Sequence, residues 1–193
     1  MNKKETILTE AKRLSGKYGY LGFTLKQLAQ ACDMTAPALY YFYSSKADLF
    51  KDCLISELEI RHLSISQVAR SSNSLLEFVE GLAVDSFEKC GASCFRTGQA
   101  MLEIIHLPEE IQQELREAWD RLLIAPVEEF LLRVDPAETP ALPHYLLATF
   151  LINMATFVAT QENRYDRATL TTLINSAANG LAAKMQPECV IAG

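Results

Sequence analysis

Apolar side chains recur along this chain at intervals of three and four, the period of helices packed on one face. From Lys4 to Tyr18, the residues Ile7, Leu8, Ala11, Leu14 and Tyr18 share a side. Gly19-Tyr20-Leu21-Gly22 breaks that pattern, and glycines suit a helix end. Leu25, Leu28, Ala29 and Cys32 then follow an i, i+3, i+4, i+7 repeat. Thr24 precedes them as an N-cap, its hydroxyl placed to accept a first-turn N–H. This second helix is short and ends near Asp33, a residue type that tolerates a left-handed backbone. Thr35 caps a third short helix, with Pro37 in the first turn, where a missing N–H costs little. Leu39, Phe42 and Tyr43 form its apolar side. Ser45 caps a longer fourth helix from Lys46, carried by Leu49, Phe50, Cys53, Leu54 and Leu58.

Beyond a polar loop at Ser71-Ser72-Asn73-Ser74, the pattern predicts helices near 74–90, 92–106, 109–133, 141–162 and 166–185. Pro126 is expected to kink or divide the third of these. Pro136, Pro140 and Pro143 mark the connection before the fourth, and Asp166 caps the last after a polar break from Asn163. The tail after Gln186 is expected to fray. No run of alternating β-branched residues is long enough for a sheet, so the fold class is all-α. Residues 24–46 place two short helices around a tight turn at Cys32-Asp33-Met34, the layout of a helix-turn-helix whose second helix enters the major groove. Ala29 is small where the helices cross.

Composition adds limits. With 49% hydrophobic and 22% charged residues among 193, the chain can bury a core and is not a disordered one. The most apolar stretch, Tyr145 to Ala159, is interrupted by Thr149, Asn153 and Thr156 and falls short of the roughly 20 residues a spanning helix needs. It reads as a buried or interfacial helix. No apolar signal segment follows Met1, so a cytoplasmic location is expected. The five cysteines, Cys32, Cys53, Cys90, Cys94 and Cys189, are odd in number and lack a Cys-x-x-Cys pair. A disulfide framework or zinc site is not expected, and each reads as a small buried hydrophobe. Cys90 and Cys94 share a helical face if the helix runs through Gly91, but a thiol sensor there would also need a lowered pKa. His62, His106 and His144 have no metal-ligand spacing, and neither a metal nor a cofactor is expected. A Gly-rich phosphate loop, His-Glu-x-x-His and Gly-x-Ser-x-Gly are all missing, so an enzyme is not expected. Net charge is −6, which argues against nucleic acid until its distribution is considered. Residues 1–52 carry eight positive and five negative side chains, +3 in all, leaving −9 for the remainder. A basic head on an acidic body fits an N-terminal DNA-binding module.

Residues 4–50 resemble the DNA-binding domain of the TetR/AcrR family of transcriptional regulators. The likeness is carried by Ile7-Leu8, Ala11, Leu14, Gly19-Tyr20, Phe23-Thr24, Leu28-Ala29 and Met34-Thr35. It continues through Leu39-Tyr40-Tyr41-Phe42-Tyr43 and Ser45-Lys46-x-Asp48-Leu49. Asp33 stands where the family usually has Gly in the turn, Pro37 where it often has Gly, and Phe42-Tyr43 where a Tyr-Phe pair is frequent. The resemblance implies a three-helix DNA-binding domain over 1–50 and a helical effector-binding and dimerisation domain over 51–193. It implies phosphate contacts by Thr24 and Thr35, each of which also serves as a plain cap. Tyr40 and Tyr41 would reach phosphate oxygens, with core packing the competing role, chiefly for Tyr40. Lys46 lies at a helix start, where the macrodipole gives a cation nothing and a phosphate would, the competing reading being a solvated lysine.

Direct base reading is expected to be sparse. Ala36, Pro37 and Ala38 at the start of the recognition helix can touch thymine methyl groups but form no bidentate bond. Lys26 is a candidate for a guanine or a phosphate, and DNA shape would supply the rest of the specificity. In the body, Phe87, Phe95, Met101, His106 and Trp119 are candidate effector-pocket residues, against the ordinary alternative of core packing. The last two helices, rich in small and apolar residues, would pair two copies as a homodimer, or else fill this chain's own core. The expected function is a regulator, a repressor by family default. It would bind a pseudo-palindromic operator in double-stranded DNA as a homodimer and be released by a small-molecule effector. The rival reading is an all-helical protein-interaction module without DNA binding.

Overall fold

The structure is a computed structural model describing residues 2–90, 97–134, 143–159 and 166–185, and every regular element among them is helical. The helices are α1 (Lys3–Tyr18), α2 (Leu25–Ala31), α3 (Ala36–Phe42), α4 (Lys46–Ser71), α5 (Leu75–Cys90) and α6 (Thr97–Leu102). After α6 come a 3₁₀ turn (Glu103–His106), α7 (Glu109–Trp119), a π turn (Asp120–Ile124), α8 (Ala125–Val134), α9 (His144–Ala159) and α10 (Arg167–Met185). None of the described helices is long and apolar enough to cross a membrane.

The chain forms two compact units. One comprises Met1–Ile60 with Gly91–Asp120, the other Arg61–Cys90 with Arg121–Gly193. The core of the first unit gathers Ile7, Ala11 and Leu14 from α1, Leu28 and Ala29 from α2, Leu39 from α3, and Leu49, Phe50, Cys53 and Leu54 from α4. It is completed by Ala100, Ile104, Leu107, Ile111 and Leu115, supplied by the chain from α6 to α7. Each buried aliphatic side chain contributes about 1.5–3 kcal/mol relative to exposure. Cys32 and Cys53 are buried free thiols, as small hydrophobes should be, and burial pushes the Cys53 thiol up to about 12. Polar ties link the helices of this unit. Lys12 Nζ on α1 donates to Ser56 Oγ at 2.6 Å and Glu57 Oε1 at 2.8 Å on α4. Tyr43 Oη donates to Asp52 Oδ2 at 3.1 Å, and Asp52 pairs with Lys4 at 3.1 Å.

In the second unit α5 packs on α9 and α10, and α8 on α9. Phe78 and Phe130 stack with centroids 4.3 Å apart, among buried Leu123, Ile124, Val127, Leu147, Ala148, Leu151 and Ile152. The C-terminal turn of α4 leaves carbonyls without helical donors. Arg133 supplies them, one guanidinium nitrogen donating to Ala69 O at 2.6 Å and Ser72 O at 2.7 Å.

Two predicted helices differ from simple rods. Within the segment expected to run over 92–106, α6 tightens into the 3₁₀ turn at Glu103, and residues 91–96 lie outside the described residues. The segment expected at 109–133 is divided, and the division precedes Pro126. Proline has no N–H to return to the carbonyl four residues back. That carbonyl belongs to Leu122, inside the π turn, and it accepts instead from His62 Nδ1 at 2.8 Å, a donor on α4. Pro136, Pro140, Asn163 and the tail after Gln186 fall outside the described residues.

Candidate nucleic-acid interface

The helix-turn-helix is built from local chemistry. At Gly19 the backbone takes φ +73°, and its N–H returns to Ser15 O at 2.8 Å, ending α1. A side chain at Gly22 would collide with the Tyr18 carbonyl, so the chain can turn back here only without a Cβ. Thr24 is extended and caps α2: its Oγ1 accepts from the Gln27 N–H at 3.2 Å. Gln27 Oε1 reciprocates by accepting the Thr24 N–H at 2.8 Å, closing a capping box. The Thr24 hydroxyl proton also faces Gln27 Oε1 at 3.0 Å, on the exposed side.

The turn between α2 and α3 closes with two bonds, Met34 N to Ala29 O at 2.8 Å and Asp33 N to Gln30 O at 3.1 Å. That pairing is the Schellman motif, whose C′ residue is left-handed and usually glycine. Asp33 occupies it with φ +52°, so the departure from glycine keeps the backbone path. Thr35 caps α3 by accepting from Ala38 N at 3.4 Å, with Pro37 in the first turn. Leu39 is fully buried and seats α3 on the core, while Tyr43 is buried at its end.

What remains outward is the candidate surface. Thr24, Lys26, Thr35 and Pro37 are exposed, and Ala36 and Ala38 half-buried. Tyr40 is 54% exposed and Tyr41 87%, so neither serves as core packing. Tyr41 meets Phe42 edge-on, with centroids 5.5 Å apart, leaving its hydroxyl end outward. Lys46 is placed differently. Its ammonium turns inward to the Phe23 carbonyl and lies over the rings of Phe23 (4.3 Å) and Tyr20 (4.8 Å). Burial holds its pKa below the usual lysine value, against the pull of the Glu103 charge. Lys46, half-buried at the start of α4, therefore holds the segment of chain that leads into α2.

The start of α4 repeats the capping logic. Ser45 Oγ accepts from Asp48 N at 3.0 Å, and Asp48 Oδ2 accepts from Ser44 Oγ at 2.5 Å and Ser45 Oγ at 2.7 Å. Those hydroxyls hold the Asp48 carboxyl below its ordinary range.

Among the effector-pocket candidates, Met101 packs against the core of the first unit, His106 is exposed at the end of the 3₁₀ turn, and Trp119 is half-buried at the end of α7. Phe95 and the Phe87 side chain lie outside the described residues, as do the side chains of Cys90 and Cys94. The second unit has a crevice of about 270 Å³ lined by Ser66, Ala69 and Arg70 of α4 and Pro126, Glu129, Phe130 and Arg133 of α8. None of the expected pocket residues lines it. Its members sit 60 or so residues apart in sequence, with no short-range spacing to announce them. No group of three or more potential metal ligands occurs among the described residues.

Comparison with known proteins places these observations. Residues 7–53 match the family described as bacterial regulatory proteins, tetR family. Over 172 residues the chain is 26% identical to the HTH-type transcriptional regulator YezE of Bacillus subtilis (strain 168), covering 83% of this chain and 88% of that protein. Among solved structures it is similar to the fatty acid degradation regulator FadR from Bacillus halodurans, at TM-score 0.76 and 16% identity, over 93% of this chain and 96% of that one. It is similar also to AibR, solved in complex with isovaleryl coenzyme A and operator DNA, at TM-score 0.69 and 16% identity, over 91% and 97% of the two chains. At such identities the structural likeness establishes the fold.

Proposed function

We propose that this chain, whose residues 7–53 match the tetR family of bacterial regulatory proteins, is a DNA-binding transcriptional regulator that represses as a homodimer on a pseudo-palindromic operator and lets go when a small molecule occupies its body. The observation that carries this reading is the outward set on α2 and α3. Threonine hydroxyls, a lysine and two exposed tyrosines face outward from a helix pair whose inner side, Leu28, Ala29 and Leu39, is buried. Thr24, Thr35, Tyr40 and Tyr41 contact phosphates, with Thr24 trading its Gln27 partner for a phosphate oxygen. Lys26 contacts a phosphate or a guanine. Ala36, Pro37 and Ala38 meet thymine methyls, and Lys46 supports them from behind. The DNA-contacting residues fall within 1–50, a part of the first compact unit, and the effector and dimer functions within 51–193.

A homodimer through the last two helices is supported by a stripe along α9. Leu146, Phe150 and Phe157 are spaced at helical intervals and are 61%, 49% and 62% exposed, with Leu173 of α10 at 57%. Two heads can then engage half-sites about one helical turn, ~34–36 Å, apart. Release by an effector requires that it prefer the non-binding state, and a hundredfold loss of affinity corresponds to about 2.7 kcal/mol of preference. An effector in the body is supported by the isovaleryl coenzyme A held by AibR.

The test is selection of random duplex DNA by the purified protein at two salt concentrations. Enrichment of an inverted repeat, bound less tightly at higher salt, is the expected result. Folded protein that enriches nothing at either salt would overturn DNA recognition in favour of a protein-interaction module. On the enriched duplex, Leu146→Glu with Phe150→Glu should yield a monomer by sedimentation and weaken binding at least ~10-fold, because each half-site must then be held alone.

A further inference from the structure

We propose that Glu103 is a positioning residue for DNA binding, its carboxylate setting the turn through which α1 leads into α2 and hence the placement of Thr24. The inference rests on the function proposed above and adds to it a residue far from the helix-turn-helix in sequence. In the turn Gly19-Tyr20-Leu21-Gly22 the Gly19 N–H still returns to Ser15 O of α1 and the Gly22 N–H to Gly19 O at 3.3 Å, whereas the Tyr20 N–H turns to a side chain. A part-buried N–H must find an acceptor. The Tyr20 N–H donates to Glu103 Oε2 at 2.8 Å, across 83 residues of sequence.

The fit is mutual. Gly19 holds φ +73°, and a Cβ there would run into the same carboxylate at Oε1. The turn therefore takes glycine for its backbone, and the absence of a side chain leaves room for the acid. Three residues beyond Tyr20, the Phe23 carbonyl is held by Lys46, whose ammonium feels the Glu103 charge and lies over the Tyr20 ring. Glu103 and Lys46 thus fix the two ends of the four-residue lead-in, Tyr20 to Phe23, and Thr24 follows immediately. Tyr20 also packs against Phe50, with ring centroids 4.8 Å apart. Glu103 itself stands on the 3₁₀ turn, anchored by Ile104 and Leu107, which are 6% and 5% exposed in the core of the first unit.

The test compares full-length Glu103→Ala, Glu103→Asp and Glu103→Gln with the wild type. Two quantities are read: amide hydrogen exchange across Gly19–Gln27, and affinity for the duplex enriched by the wild type. Alanine removes the acceptor. Aspartate keeps the charge but withdraws it by one methylene. Glutamine keeps a carbonyl oxygen in reach. We expect alanine and aspartate to speed Tyr20 exchange at least ~10-fold and to weaken operator binding ~10-fold, about 1.4 kcal/mol. Glutamine should stay within ~3-fold of wild type on both measures, since a neutral acceptor still satisfies the amide. A general loss of packing would not be rescued by glutamine. Wild-type Tyr20 exchange in the alanine and aspartate variants would overturn the inference. So would faster exchange at undiminished operator affinity. Failure of the wild type to enrich any duplex would overturn the proposed function, and with it the DNA-binding role of Glu103.

Discussion

Single side chains in this protein serve backbone geometry before anything else. Gly22 is the clearest instance, since even a methyl group there meets the Tyr18 carbonyl. Gly22→Ala should cost about 1–3 kcal/mol, read as a lower denaturation midpoint with unchanged slope. Asp48 carries a pH signature. Its folded pKa is depressed by Ser44 and Ser45, so its stabilisation is present above the unfolded carboxylate value of about 3.9 and is lost as pH falls through the folded one. Asp48→Asn should therefore be less stable than wild type at neutral pH, and the gap should close in titrations below about pH 4. Equal stability at pH 7 would show that the cap contributes nothing. At this scale the sequence was informative. Thr24, Thr35, Ser45, Gly19 and Asp33 act on neighbours within five residues, and local chemistry names them. Lys46 and Glu103 were not legible in the same way. Their partners, Phe23 O and Tyr20 N–H, lie 23 and 83 residues off, and neither spacing leaves a trace in the chain.

Elements were legible where the hydrophobic period runs unbroken, as in α1 to α5. They were less so where a helix changes type. The division of the segment after Glu109 follows from one residue that donates no N–H, but the response to it does not. A π turn at Asp120–Ile124 and a ring from α4 together solve the problem of the Leu122 carbonyl. A carbonyl can only accept, so His62 presents Nδ1 with its proton. His62→Ala should leave that acceptor unpaired and destabilise the protein by about 1–2 kcal/mol in urea unfolding. In a Pro126→Ala background the penalty should shrink, because residue 126 regains an N–H for the same carbonyl. Strictly additive losses in the double mutant would refute the link between the proline and the histidine.

At the scale of the whole molecule, the first unit is discontinuous along the chain. Its core takes Ile104, Leu107, Ile111 and Leu115 from beyond residue 90. No periodicity reveals this, because an apolar face on a helix does not state which neighbour it covers. The same limit kept the crevice beside Arg70 and Arg133 out of reach of the sequence. A fragment of residues 1–60 should lack a cooperative unfolding transition and give a poorly dispersed amide spectrum. The four missing side chains, at about 1.5–3 kcal/mol each, rival the about 5–15 kcal/mol by which whole domains are stable. A well-dispersed spectrum from that fragment would contradict the assignment.

Synthesis on the ribosome gives that discontinuity a timing. Translation releases α1, α2 and α3 first, and domains generally fold as their residues emerge. Here the side chains that close the head's core are still being assembled until residue 115 of 193 has passed. A chain that stops before that point carries α3 without the full core that seats it. On the function proposed above, competence for an operator follows only after residue 115 has been made, and shorter products are expected to compete weakly for the same sites.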